Sequence, residues 1–227
     1  MSRPSTVYFS TKMIFVKVPK TATNSLKQLC DAVAGLKTSR HVYKAESRNY
    51  HETILHIKDN LSSNHPDYTL DDFFKFGFVR NPFSWAVSYY RYLSKPVYIG
   101  GSRLNKNENA ATKGLPFKDF CLDARERNAK LKHPSKHLYQ SKDTFMPQHY
   151  YLCDEDKNIC VDFVGKYESL EESWMTVSER YNIKSRIPKL NASDKYNYKD
   201  YYNDETADLI REIYCDDFKL FNYSLDL

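Results

Sequence analysis

The sequence predicts an α/β fold with a mostly parallel central sheet and helices on both faces. Three observations carry this expectation. Apolar runs of strand length stand at 13–18, 76–79 and 161–167, and their near-continuous apolar character suits parallel strands covered on both faces. Each run is followed by a segment whose apolar residues recur at helical spacing. With 41% hydrophobic and 15% aromatic residues, the 227-residue chain has the material for a sizeable core.

The first run, Met13-Ile14-Phe15-Val16-Lys17-Val18, ends at Pro19. Leu26, Leu29, Cys30 and Val33 then place a helix over about 25–34, with Gly35 as its stop. Ile54, Ile57 and Leu61 predict a second amphipathic helix over 50–61. Thr69 and Asp72 fit a capping pair for a short helix. The second run, Phe76-Gly77-Phe78-Val79, leads into Arg80-Asn81-Pro82. Asn81 suits a helix cap and Pro82 the first helical position, where a missing N–H costs nothing. The helix that follows carries Phe83, Ala86, Val87, Tyr90 and Leu93 and is interrupted at Pro96.

Residues 99–114, rich in Gly, Asn and Lys, read as a mobile loop, and a short helix begins at Pro116-Phe117. The stretch 128–149 is polar, basic and broken by Pro134 and Pro147, which predicts an irregular lid. After the third run, Ser169 with Glu172 reads as a capping box for a helix bearing Leu170, Trp174 and Val177. A polar segment over 184–203 precedes a last helix whose packed face is Leu209, Ile210, Ile213 and Tyr214. No internal repeat or second domain is evident, so the expectation is one domain over 1–227 with a basic excursion at about 95–149.

The formal net charge is +5, and residues 101–142 hold ten Lys or Arg against four Asp or Glu. That excess favours an anionic partner, although such runs are also ordinary solvated surface. No zinc finger, arginine-rich recognition helix or aromatic-basic repeat points to nucleic acid. The five cysteines are odd in number and match neither a paired metal site nor a disulfide framework, which suits a reducing compartment. No run of about eighteen apolar residues and no secretory segment occurs, so the expectation is a soluble, cytoplasmic protein without a membrane segment.

The turn Lys20-Thr21-Ala22-Thr23-Asn24-Ser25 joins the first strand to its helix. The first N–H groups of a helix have no intrahelical acceptor, and after a parallel strand they face the crevice where ligands of such sheets bind. Lys20 adds a cation, and Thr21, Thr23 and Ser25 add hydroxyls. The glycines of the GxxxxGK[ST] nucleotide loop are absent. Alone, this turn is equally a capped helix with an exposed lysine. Arg80, at the exit of the second strand, and Ser88, two turns along the next helix beside Ser84 and Tyr92, suit a second phosphate. Two phosphate sites at neighbouring strand ends imply a ligand with separated phosphates.

FVKVPKTATNS and FGFVRNPFSWAVSYY resemble the F-I-H-I-P-K-T-A-G-T-S and FxFVRNPxxRxxSxY motifs of the sulfotransferases that use 3'-phosphoadenosine 5'-phosphosulfate. The likeness is greatest to the branch with carbohydrate, heparan-type 2-O-sulfotransferases and bacterial homologues. Further similarity lies in PQHYYLCDEDKNICVDFVGKYESLEE and IPKLNASDKYNYKDYYNDET. The resemblance implies a P-loop nucleotide-kinase-like sulfotransferase fold and transfer of a sulfonate group to a carbohydrate or glycoconjugate hydroxyl. It assigns Lys20, Thr21, Ala22, Thr23, Asn24 and Ser25 to the 5'-phosphosulfate and Arg80 and Ser88 to the 3'-phosphate. Lys166 and Tyr167, with Gly165, fall in a further cofactor-side segment, and Asn191, Ser193 and Lys195 in one that closes over the nucleotide. No metal is expected, and the product would be 3',5'-diphosphoadenosine. Thr23 and Asn24 replace the usual glycine and threonine, which stiffens the turn. Trp85 replaces a common arginine and removes a positive charge.

Sulfuryl transfer needs a base for the acceptor hydroxyl, and histidine suits it. His51-Glu52-Thr53-Ile54 resembles the family's H-x-T-A segment, which puts His51 first, with His56 and His41 as alternatives. Lys20 would neutralise charge on the leaving oxygen. The competing readings are a Mg-dependent small-molecule kinase and a catalytically inactive glycan-binding relative. The resemblance also admits a lumenal Golgi domain separated from an upstream anchor as the alternative to the cytoplasm.

Overall fold

The computed structural model describes residues 7–35, 51–94, 97–99, 102–104, 115–131, 146–188 and 196–227. His41, Asn191, Ser193, Lys195 and most of the basic excursion lie outside them. The chain divides into two compact units, one of residues 1–80, 132–142 and 148–194, the other of 81–131, 143–147 and 195–227.

The first unit holds a four-stranded sheet in the order β1-β2-β3-β6: β1 Val7–Tyr8, β2 Met13–Val16, β3 Phe74–Val79 and β6 Phe163–Lys166. β2, β3 and β6 are parallel, with Phe15 opposite Phe76 and Phe78 opposite Gly165. β1 pairs antiparallel with β2 at the edge, an element too short to announce itself by periodicity. Successive side chains alternate between faces. Met13, Phe15, Phe76 and Phe78 therefore share one face, packed against Leu26, Leu29 and Cys30 of α1 Thr23–Val33 and Trp174 and Val177 of α6 Leu170–Arg180. On the other face Leu152 of α5 His149–Leu152 meets Gly77, and α5 also touches α2 Ile54–Asn64. Helices thus cover both faces, as the apolar strands require.

Gly77 and Gly165 have the same reason to be glycine. A Cβ at Gly77 would lie 2.5 Å from Leu152 Cδ2, and one at Gly165 2.5 Å from Phe78 Cε1. Backbone is exchanged there for a close-packed neighbour.

The second unit is built on α3 Pro82–Ser94, α4 Phe117–Lys130, α7 Asp204–Ile213 and α8 Cys215–Leu220. Asn81 Oδ1 accepts from Phe83 N at 2.9 Å, so the Asn-Pro start of α3 is as expected. Asn203 and Thr206 form a capping box at α7. Phe83, Trp85, Phe120, Ile210, Tyr214 and Phe218 make the core.

Several local expectations shift. α2 begins at Ile54, not near 50, because Thr53 Oγ1 accepts from His56 N and caps it. Ser169 precedes α6 but makes no side-chain cap; its hydroxyl lies 3.3 Å from Ser173 Oγ. The Thr69–Asp72 pair does form, with Asp72 accepting from Thr69 N at 2.7 Å. α4 runs fourteen residues. β5 Ser102–Leu104, inside the 99–114 stretch read as a mobile loop, pairs antiparallel with β4 Val97–Ile99 at its start.

Candidate functional site

The chain leaves β2 through a turn whose backbone is costly. Lys20 has φ 65° and Ala22 φ 60°, both in the left-handed region that L-residues other than Gly, Asn and Asp rarely occupy. Two buried bonds hold this conformation: Thr21 Oγ1 and Thr23 Oγ1 donate to Val18 O at 2.9 and 2.8 Å. Those hydroxyl protons therefore tie the turn to its own strand end. Thr21, Thr23 and Ser25 are buried, whereas Lys20 and Ala22 are half-buried and Asn24 is exposed. α1 starts at Thr23, two residues earlier than its apolar spacing indicated. Thr23 is not among the left-handed residues, so the missing glycine adds no backbone strain at that position. The strain sits at Lys20 and Ala22, of the kind that clusters where backbone is shaped for a ligand.

His51 comes to this turn from a different part of the chain. Its Nδ1 lies 2.5 Å from Lys17 O. A carbonyl only accepts, so Nδ1 carries the proton and Nε2 the lone pair. Burial, with the charges of Lys17 and Lys20, lowers the His51 pKa to about 4. His51 is therefore neutral at pH 7 and close enough to Lys20 to feel its charge. His56 lies in the first turn of α2, its Nε2 3.7 Å from Glu52 Oε1. The two histidines thus have different neighbours, and His51 is the one beside the turn.

Sequence reasoning passed over Lys17 and Glu52. Lys17 is 1% exposed and Glu52 2%. Burial lowers the Lys17 pKa to about 8, and Glu52 is its largest favourable electrostatic partner. A lysine inside the run MIFVKV was the available signal, because a strand covered on both faces has no water for an ammonium group.

The exits of β3 and β6 are adjacent, since Val79 pairs with Lys166. The Arg80 guanidinium lies over the Tyr167 ring, 4.3 Å from its centroid, a cation–π contact that orients the fork. Gln148, fully buried, clamps the Arg80 backbone: its Oε1 accepts from Arg80 N at 2.8 Å and its Nε2 donates to Arg80 O at 2.7 Å. Lys166 N donates to Ser173 Oγ at 3.0 Å. Lys20, Arg80, Lys166 and Tyr167 thus all stand at the carboxyl ends of three neighbouring parallel strands. Gln148 had no local signal, because its partners are backbone atoms far away in sequence.

In the second unit, Ser88 is buried on α3. Trp85 is 1% exposed and packs on Tyr89 and Tyr214. The tryptophan in place of the common arginine therefore serves the core of that unit. Among the described residues no group of three His, Cys, Asp or Glu is arranged to hold a metal ion, and no helix is long and apolar enough to cross a membrane.

Carbohydrate sulfotransferase 11 of mouse and of rat are each 25% identical to this chain over 237 aligned positions, 94% of this chain. The chain spans 65% of the length of those relatives. No solved structure gives a significant match. A family model described as "Sulfotransferase family" matches residues 5–224, from before β1 to beyond α8 and through both strand exits; the chain belongs to the sulfotransferase family.

Proposed function

We propose that the protein transfers a sulfonate group from 3'-phosphoadenosine 5'-phosphosulfate to a hydroxyl of a carbohydrate or glycoconjugate. The observation that carries this reading is the set of cations at the carboxyl ends of three adjacent parallel strands, Lys20, Arg80 and Lys166, with the start of α1 among them. Such a constellation suits a ligand with separated phosphates. The carbohydrate acceptor is supported by the 25% identical relatives, which are carbohydrate sulfotransferases.

The residues present fit the cofactor. The turn from Lys20 to Ser25 has the strained backbone expected of a phosphate cradle. Arg80, stacked on Tyr167 and clamped by Gln148, is held ready for a second phosphate. The bound cofactor would supply an activated sulfonate on a phosphate leaving group. With the cofactor bound, Lys20 would offset the negative charge of the leaving phosphate. His51 Nε2 takes the acceptor's hydroxyl proton, while the Lys17 carbonyl keeps the other ring nitrogen protonated. A pKa of about 4 makes the unliganded histidine a weak base. Burial is the main cause of that depression, and an anion held by Lys20 would offset the smaller part that comes from the charges of Lys17 and Lys20.

The test has two arms. Calorimetric titration with 3',5'-diphosphoadenosine and with 5'-AMP should show the diphosphate binding at least about tenfold tighter, as expected for one charge-assisted contact of about 1.5–3 kcal/mol. Equal binding would overturn the two-phosphate site. Labelled sulfonate should then pass from the cofactor into a panel of glycan acceptors without added magnesium, and magnesium-dependent turnover of ATP in its place would reject the reaction class.

A further inference from the structure

The geometry points to a second binding site at the opposite edge of the sheet, for a sugar unit that carries one anionic group, a carboxylate or a sulfate. The three parallel strands begin at Met13, Phe74 and Phe163. A cleft of about 810 Å³ opens at these three starts, beside the end of α6, lined by Lys12, Asp71, Asp162, Arg180 and Tyr181 among others. Its volume falls in the range of roughly 300–1,000 Å³ usual for ligand sites. Strands of four to six residues, at about 3.3 Å per residue, put it roughly 13–20 Å from the strand exits that carry Lys20, Arg80 and Lys166. A ligand in the cleft and a nucleotide at those exits therefore occupy separate places.

Two cations line the cleft without an ion-pair partner among the described residues. The Lys12 ammonium lies 4.0 Å from the centroid of the Tyr68 ring and 5.3 Å from that of Phe73, and the Arg180 guanidinium 4.3 Å from that of Phe74. A guanidinium held by its face keeps its N–H edge for a ligand. Lys12 has φ 51°, in the left-handed region, and its carbonyl accepts from Phe74 N at 2.9 Å and from the Tyr181 hydroxyl at 3.4 Å. This is strain of the kind found where backbone is shaped for a ligand. The acidic side chains of the cleft are partly engaged. Asp72 Oδ2 accepts from Thr69 N at 2.7 Å, and Asp162 Oδ2 accepts from Lys75 N at 2.7 Å and lies 3.0 Å from Lys75 Nζ. What is left is the exposed Asp71 carboxylate and the second oxygen of Asp162.

The wall selects the ligand. Two oriented cations suit an anionic group, and a neutral sugar would leave both unused. Three carboxylates around the same space repel a polyphosphate. The remaining carboxylate oxygens only accept, so they suit hydroxyl donors. One anionic group among several hydroxyls is an acidic sugar.

The test is NMR titration of the parent with glucuronate, glucose 6-sulfate, glucose and inorganic sulfate at constant ionic strength. Both acidic sugars should bind at least about tenfold tighter than glucose or sulfate, the worth of one charge-assisted bond. Arg180→Gln and Lys12→Asn, the second chosen because asparagine tolerates the left-handed backbone, should each weaken the acidic sugars at least about fivefold. Both side chains are exposed, so the melting temperature should not move. Asp71→Ala should weaken them at least about threefold through the lost hydroxyl acceptor, whereas at a plain anion site it would strengthen binding. Lys20→Ala should leave them unchanged. No binding of the acidic sugars, equal binding of glucose or sulfate, an unchanged affinity in Arg180→Gln, tighter binding in Asp71→Ala, or loss of binding in Lys20→Ala would each overturn the proposal.

Discussion

Lowering the pH from 7 to 5 should remove about 2 kcal/mol of folding stability through His51 alone, by the linkage between proton uptake and unfolding. In the unfolded chain this imidazole takes its proton near the ordinary 6.5, whereas in the folded chain burial and the charges of Lys17 and Lys20 delay it to about 4. Between those values the unfolded state binds more protons. Stability therefore rises with pH across the window and is lost as pH falls through it. The full gap, at about 1.4 kcal/mol per pH unit, is worth about 3.5 kcal/mol, of which a little over half has gone by pH 5. His51→Gln isolates the effect, because glutamine keeps an N–H for the Lys17 carbonyl and does not titrate. Urea unfolding followed by circular dichroism, for parent and variant at pH 7 and pH 5, gives four stabilities. The parent should lose about 2 kcal/mol more than the variant on acidification, since His56 and every other titrating group are common to both. Equal losses would refute the buried, neutral imidazole, and with it the geometry that points Nδ1 at Lys17.

Four further outcomes follow from the same geometry. Lys20→Ala should raise the dissociation constant for 3',5'-diphosphoadenosine at least about tenfold by calorimetry, with little change in melting temperature because the side chain is only half-buried. Arg80→Ala should abolish the preference for the diphosphate over 5'-AMP, measured the same way. Gln148→Leu removes partners from both Arg80 N and Arg80 O; at about 1–3 kcal/mol per orphaned group, urea unfolding should show a loss of about 2–6 kcal/mol. Gly165→Ala places a methyl 2.5 Å from Phe78 Cε1, which should cost about 1–3 kcal/mol by overpacking, and Phe78→Leu in the same chain should recover part of it.

Much of the architecture was legible locally. The run MIFV reads as a strand because no polar side chain interrupts it, and in the structure all four residues are buried. Asn81-Pro82 announces α3 because a cap oxygen and a residue without an N–H suit a helix start and little else. The turn after β2 was recognisable as the place where a strand hands over to a helix. Its inner construction was not: nothing in KTATNS says that two threonine hydroxyls turn back to Val18 O, or that the left-handed residues are Lys20 and Ala22. That outcome depends on which side chains the sheet has room to bury. Trp85, read as a lost charge, is core of the second unit for the same reason.

Sequence by itself determined the strand-turn-helix order, the cations at the strand exits and the likeness to a family, since each is written within a window of about ten residues where propensity and periodicity act. Tertiary structure alone placed His51, and not His56, beside the turn. His51 meets a carbonyl 34 residues earlier, and Gln148 meets Arg80 across 68 residues. Such bonds form between segments that the sheet brings together, so neither partner carries a mark of the other until the chain has folded.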